Sequence, residues 1–207
     1  VYAKAPAILR QAEFFLGERR FREGVRAFLK RHAWTNAGWG DLVDALERAS
    51  GEKLGDWASA WVERAGLPRV SVQPVVDRRG QLREIVIGQQ ATGAGPGARS
   101  AIWPMKLRVK VLTTTGARQY EIRVVNQRTT LRTPGAGKPL FLFANDGDFG
   151  YGHFPLDAAS RRHALDHPEL LRDDLLRSLV HESLWNAVRD AELDPARYVE
   201  LVLAQLP

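Results

Sequence analysis

The sequence predicts a multi-domain chain of mixed α and β structure: helices first, then a small antiparallel β-sandwich, then helices again. Three observations predict it. Apolar residues recur at helical spacing over residues 1–67, at strand spacing over 68–155, and at helical spacing again over 156–207. Turn signals rich in Gly, Asp, Asn and Pro punctuate the middle segment. Of the 207 residues, 44% are hydrophobic and 26% charged, a balance that can bury a core and stay solvated.

The first segment reads as four helices. Ile8, Leu9, Ala12, Phe15 and Leu16 form one apolar stripe, and Gly17 stops it. Phe21, Val25, Phe28 and Leu29 make a second. Asp41 is expected to cap a third helix bearing Leu42, Val43, Leu46 and Ala49, which ends at Ser50-Gly51. Leu54, Trp57, Trp61 and Val62 stripe a fourth, which stops at Gly66 and Pro68. The short connections imply that neighbouring helices pack together.

The middle segment changes period. Val70, Val72, Leu82, Ile85 and Ile87 sit in short β-like runs. Leu107, Val109 and Val111 alternate with Arg108 and Lys110, and Ile122 and Val124 alternate with Glu121 and Arg123, as in half-buried strands. Leu140 to Phe143 is a further apolar run. Turns are expected at Asp77 to Gly80, Thr115-Gly116, Pro134-Gly135 and Asn145 to Gly147, and a flexible loop from Ala91 to Ser100. Six to eight short strands at this spacing suggest a sandwich.

The last segment returns to helix. Asp157 or Ser160 starts one helix, and Pro168 sits in the first turn of the next. Leu171, Leu175, Leu179, Leu184, Trp185 and Val188 run along that second helix. Asp194-Pro195 opens a third, striped by Tyr198, Val199, Val202 and Leu203. So few short helices bury little core, so the segment reads as the start of a longer helical array.

Composition narrows the function. No apolar run approaches the roughly 18 residues that cross a membrane. There is no cysteine, which excludes disulfides, thiolate metal sites and a cysteine nucleophile, and fits a reducing, cytoplasmic setting. Residues 1–67 carry a net charge of +2, residues 68–150 of +8 and residues 151–207 of −4. The basic middle segment raises nucleic-acid binding as one reading, but no aromatic-interleaved RNA motif accompanies it, and an Arg-rich solvated sheet face is the expectation. A second alternative is a non-catalytic interaction module that binds protein or glycan through exposed aromatics such as Trp103 or Tyr120.

Several apparent sites lack a necessary part. His181-Glu182-Ser183-Leu184-Trp185 nearly spells a zinc helix, but Trp stands where the second His must be. His163 and His167 are four apart with no third ligand at convincing spacing, and are read as surface histidines. His32 and His153 are read as structural. Asp146-Gly147-Asp148 lacks the Glu that closes a calcium loop and is read as a turn. Gly93, Gly95 and Gly97 are followed by no Lys-Ser/Thr step, so they form no phosphate loop.

Taken in order, several stretches resemble one family. Tyr2-Ala3-Lys4-Ala5 is similar to a Tyr-x-Lys-Gly step, with Ala5 in place of Gly. Leu16-Gly17-Glu18 through Phe21-Arg22 to Gly24, then His32, Asn36 and Asp41, then Ser50-Gly51, Leu54, Trp57 and Trp61 continue the match. Trp103-Pro104, Asn145-Asp146, Gly150-Tyr151-Gly152 and Leu184 to Asp190 extend it over nearly the whole chain. These motifs resemble the later part of the aminopeptidase N family of zinc metallopeptidases (gluzincins). The resemblance implies the helical end of a thermolysin-like catalytic domain over 1–67, a β-sandwich over 68–155, and the start of a superhelical C-terminal domain over 156–207. It implies a parent enzyme that removes N-terminal residues from peptide substrates, with zinc held by an H-E-x-x-H helix and a later Glu in a missing N-terminal half. Tyr2 matches the family's tyrosine, which donates its hydroxyl proton to the tetrahedral oxyanion. Lys4 is read as structural. This chain, which begins at Val1, lacks H-E-x-x-H, and on this reading neither holds zinc nor cleaves peptides by itself.

Overall fold

A computed structural model of the chain describes residues 4–92 and 101–205. Tyr2, and most of the loop expected over Ala91 to Ser100, lie outside the described residues.

Helix α1 spans Lys4–Leu16 and buries the predicted Ile8, Ala12, Phe15 and Leu16. Gly17, at φ 90°, adopts the left-handed backbone that lets the chain turn directly into α2, Glu18–Arg31. Helix α3 spans Trp39–Ser50. Asp41 is not its cap: Gly38 holds that place, and the Gly38 N–H donates to Asp41 Oδ2 at 2.8 Å from one turn inside. Gly51, at φ 72°, ends α3 as predicted. Helix α4, Gly55–Ala58, widens into a π-helical turn over Ser59–Glu63. That turn buries Trp61 but leaves Val62 outside the predicted stripe, 43% exposed.

Six strands follow: β1 Leu67–Val76, β2 Leu82–Thr92, β3 Met105–Thr113, β4 Gly116–Val124, β5 Arg128–Arg132 and β6 Pro139–Phe143. They form two antiparallel sheets of three, ordered β1-β2-β5 and β4-β3-β6. Pro68 does not mark a helix stop but lies in β1, an edge strand where a missing N–H is tolerated. Strand β3 alternates without exception: Met105, Leu107, Val109, Val111 and Thr113 are buried, with Lys106, Arg108 and Lys110 half-exposed between them. Val70, Val72, Ile85 and Ile87 of the first sheet join these residues in one core.

Helices α5, Ala158–Asp166, α6, Asp174–Arg189, and α7, Pro195–Ala204, complete the chain. Each is capped by an aspartate that accepts backbone N–H groups: Asp157, Asp173 and Asp194. Pro168 opens a separate 3₁₀ turn, Pro168–Leu170, so Leu171 lies before α6 and not on it. Two predicted stripes hold only in part, with Leu184 buried and Leu179 and Tyr198 packed against the core. On α6, Val180 and Leu184 are buried while Leu175 and Trp185 are exposed. On α7, Leu201 is buried while Val199 and Leu203 are exposed.

Candidate active-site cleft

A cleft of about 870 Å³ opens beside the first turn of α1. Pro6, Ala7 and Arg10 form one wall. The connection after β6 supplies Asn145, Asp148 and Tyr151, and α6 supplies Glu182, Asn186 and Arg189. The three predicted segments of the chain thus meet here, and the sequence position of Tyr2 is two residues before the wall helix begins.

One buried side chain fixes that helix in place. Gln11 is fully buried, and its Oε1 accepts the Lys106 N–H at 2.9 Å. Its Nε2 donates to the Phe149 carbonyl at 2.5 Å and to the Lys106 carbonyl at 3.3 Å. One amide therefore joins α1 both to β3 and to the cleft loop. Alongside it, Phe14 stacks on Phe149 at 3.9 Å between ring centroids. Lys106 lies 4.5 Å from the Phe14 centroid and Arg108 lies 4.7 Å from that of Phe149, placing cations on the negative ring faces.

The loop Asn145 to Gly150 is the predicted turn, built more tightly than its motif discloses. Asn145 Oδ1 accepts the Gly150 N–H at 2.6 Å, and its Nδ2 donates to the Gly150 carbonyl at 3.2 Å and to Asp148 Oδ1 at 3.3 Å. A Cβ on Gly150 would sit 2.4 Å from the Phe154 ring, so only glycine fits that position. Gln119 donates to the buried Asp146 carboxylate. Arg10 Nη2 donates to the Gly147 carbonyl at 2.8 Å. Burial pushes the Asp148 carboxyl above its ordinary range, opposed by the charge of Arg10 and the hydrogen bond from Asn145.

His153 is structural, as expected. Its backbone bridges to β1, with its N–H donating to the Pro68 carbonyl and its carbonyl accepting the Val70 N–H, both at 2.8 Å. Its Nδ1 lies 3.0 Å from Arg69 Nη1. Burial, and then the charge of Arg69, hold this histidine below its ordinary range, so near neutrality it is uncharged. Arg69 also pairs with Asp190 at 3.7 Å and Glu192 at 3.4 Å, tying β1 to the end of α6.

The cleft presents charges of both signs, with Arg10 and Arg189 facing Asp148, Glu182 and Asp190. Such a surface suits a charged, hydrogen-bonding ligand better than an apolar one. Among the described residues no group of three or more His, Cys, Asp or Glu is placed to hold a metal. His163 and His167 do stack, 4.6 Å between ring centroids, but the nearest carboxylate partner is Glu169, on His167 at 3.2 Å. His181 Nε2 is bonded to Gln205 Oε1 at 2.6 Å.

The rival readings lose their particular supports. Trp103 is 1% exposed, and its backbone N–H and carbonyl are both bonded by the Gln89 side chain. Tyr120 is half-buried against the core. Neither is the solvent-facing aromatic that a glycan- or protein-binding sandwich would use. Several arginines of the basic segment have internal partners: Arg83 with Asp77, Arg108 with Glu121, and Arg123 with Glu52. No helix among the described residues is long and apolar enough to cross a membrane.

Arg10, Gln11 and Phe149 escaped sequence reasoning, which reads Asp148 only as part of a turn. Gln11 lies inside an apolar stripe, and a single buried amide has no periodic signature. Asp148 carried a weak signal, as a carboxylate in a glycine-bracketed turn.

The family model for the peptidase family M1 domain matches residues 1–61. Aminopeptidase N of Streptomyces lividans is 32% identical over 98% of this chain and 25% of its own length. Aminopeptidase N of Lactococcus lactis subsp. cremoris is 26% identical over 91% of the chain and 20% of its own length. The crystal structure of Legionella pneumophila aminopeptidase A in complex with aspartic acid superposes with a TM-score of 0.68 at 16% identity. It covers 98% of this chain and 24% of that one, and shows the shared fold. The chain thus spans a quarter or less of the length of these relatives. The relation runs through the helices, both sheets and the cleft loop together, so over nearly its whole length this chain is similar to a part of aminopeptidase N.

Proposed function

We propose that this chain is the rear portion of a cytoplasmic, zinc-dependent aminopeptidase that removes N-terminal residues from peptides. On this reading residues 1–67 complete a thermolysin-like catalytic domain, 68–155 form a β-sandwich and 156–207 begin a helical C-terminal domain. The carrying observation is the relation to an aminopeptidase N across 98% of the chain at a quarter of that protein's length. The meeting of all three segments at one charged cleft beside α1 supports it.

The described residues do not fit a catalytic zinc, and the sequence contains no H-E-x-x-H. In the proposed enzyme the metal belongs to the part of the protein outside these 207 residues, and no step is assigned to it. What this chain contributes is Tyr2. A phenol keeps its proton at neutral pH and can donate it where negative charge develops on a cleaved carbonyl. Helix α1, locked by Gln11 to β3 and the cleft loop, gives the segment that follows Tyr2 a rigid base.

The test is Tyr2→Phe in the longer natural protein that contains this sequence. Turnover on an aminoacyl p-nitroanilide should fall by about 10²–10³ with KM changed far less, because the lost bond forms only in the transition state. Turnover equal to that of the parent would refute the role.

A further inference from the structure

Helix α2 is strongly amphipathic, yet Gly24 is its only buried residue. It crosses α3 at that glycine, where a Cβ would lie 2.8 Å from Leu46 Cδ2. The apolar stripe that the sequence places on α2 is therefore only partly covered: Phe21 and Val25 touch the core along one edge, and the rest of the stripe is open. Phe21, Val25 and Phe28 are half-buried, and Leu29 is 61% exposed. With Leu9 of α1 and Leu42 of α3 they line a groove of about 670 Å³. Charges edge it: Glu13 and Arg10 on one side, Arg22 and Arg26 on the continuation. An apolar floor with a charged rim is the anatomy of a protein-protein contact.

The groove lies wholly within residues 1–61, the part that matches a peptidase domain. Most of the length of the relatives lies outside what this chain covers. A second copy would bring the same concave groove, and a symmetric contact needs a self-complementary surface. We propose that this groove is an internal seam of the peptidase domain: it seats an apolar segment, flanked by charges, from the part of that domain outside these 207 residues. The inference rests on the reading of the chain as the rear portion of a peptidase.

Leu29→Asp tests it, in this chain and in the longer natural protein. The side chain is already solvated here, so this chain should keep its melting temperature within about 1 °C. In the longer protein the same change places a carboxylate in an apolar seam, and Tm should fall by roughly 5 °C or more. Amide exchange over Phe21 to Leu29 should also be slower in the longer protein than in this chain. An unchanged Tm in the longer protein would overturn the seam. So would a dimer of this chain in sedimentation that Leu29→Asp dissolves, since the occupant would then be a second copy. Aminopeptidase assay of the longer protein separates the two claims. An active protein with unchanged Tm sinks the seam alone; an inactive one whose Tm still falls sinks the functional reading and keeps the seam.

Discussion

At the scale of single residues, Gln11 is the most informative side chain of the fold. Its amide satisfies the Lys106 N–H and two carbonyls in a site without solvent. Gln11→Leu keeps the approximate shape but strands those backbone groups. Each unsatisfied buried group costs about 1–3 kcal/mol. For a chain of this size Tm should fall by about 5–10 °C in thermal denaturation followed by circular dichroism. A shift within 1 °C would mean that α1 is held by its apolar stripe alone. Asp148 makes a pH prediction. Burial raises its folded pKa above the unfolded value, so its ionisation opposes folding. Its favourable contribution is complete below the ordinary Asp range and is lost as pH rises through the raised value. Asp148→Asn should therefore leave stability less dependent on pH over that window, and asparagine suits the left-handed backbone there, at φ 56°. Urea midpoints at pH 3.5, 5 and 7 would show the two curves diverging upward in pH, and parallel curves would remove Asp148 from the account. Gln11 gives no signal in the sequence, and Asp148 gives only that of a turn. Periodicity locates apolar faces, whereas Gln11 matters for partners about a hundred residues away along the chain, and Asp148 for its burial and the charge of the distant Arg10.

At the scale of elements, the helices and the sheets are coupled by named side chains, not by adjacency in sequence. Arg123 on β4 grips Glu52, after α3, through both guanidinium nitrogens at 2.6 and 2.7 Å. It also donates to the Phe15 carbonyl at 3.0 Å and lies 4.4 Å from the centroid of that ring. The hydrogen bond from Arg123 is the main cause that holds the Glu52 carboxyl below its ordinary range. A depressed folded pKa stabilises above the unfolded value and loses that benefit as pH falls through the folded one. Glu52→Gln should thus lower stability at pH 7 by about 0.5–1 kcal/mol, a modest figure because the pair is partly solvated. The deficit should vanish below the folded pKa, where wild-type Glu52 is itself protonated; an equal deficit at all pH values would assign the loss to packing. The elements themselves were mostly legible. Strand β3 and helices α1 and α3 follow their periods because each buries one clean face. Strand β5 went unnamed because Arg128 to Arg132 is polar except for a half-buried Leu131 at a sheet edge. The stripes of α6 and α7 hold only in part, because period fixes which residues lie together, not which of them meets this core.

At the scale of the whole molecule, the apolar surface left open is concentrated in the helical segments. The sheet core is closed, with Val70, Ile87, Val109 and Val111 fully buried. Leu29 and the fully exposed Trp34 stand out near α2, while Trp185, Val199 and Leu203 stand out on α6 and α7. Trp185 and Tyr198 meet with tilted rings, 5.7 Å between centroids, and Trp185 stays half exposed. Sequence patterns that demand more burial than the chain supplies fit a family relation in which the chain covers a quarter of its relative. The same logic sets the last prediction. The closed sheet core should let the 207-residue chain fold cooperatively alone, but its described residues gather no metal cluster. Purified and dialysed, it should retain no stoichiometric zinc by mass spectrometry and release no amino acid from an aminoacyl p-nitroanilide. The longer natural protein, treated identically, should retain one zinc per chain and cleave. Zinc bound stoichiometrically by the short chain would implicate His163, His167 and Glu169, where the two imidazoles stack and the carboxylate meets His167. His163→Ala should then abolish it. That result would overturn the division of labour proposed between this chain and the remainder of the enzyme, in which the metal and the oxyanion donor come from different parts of one protein and meet only when the helical seam is closed.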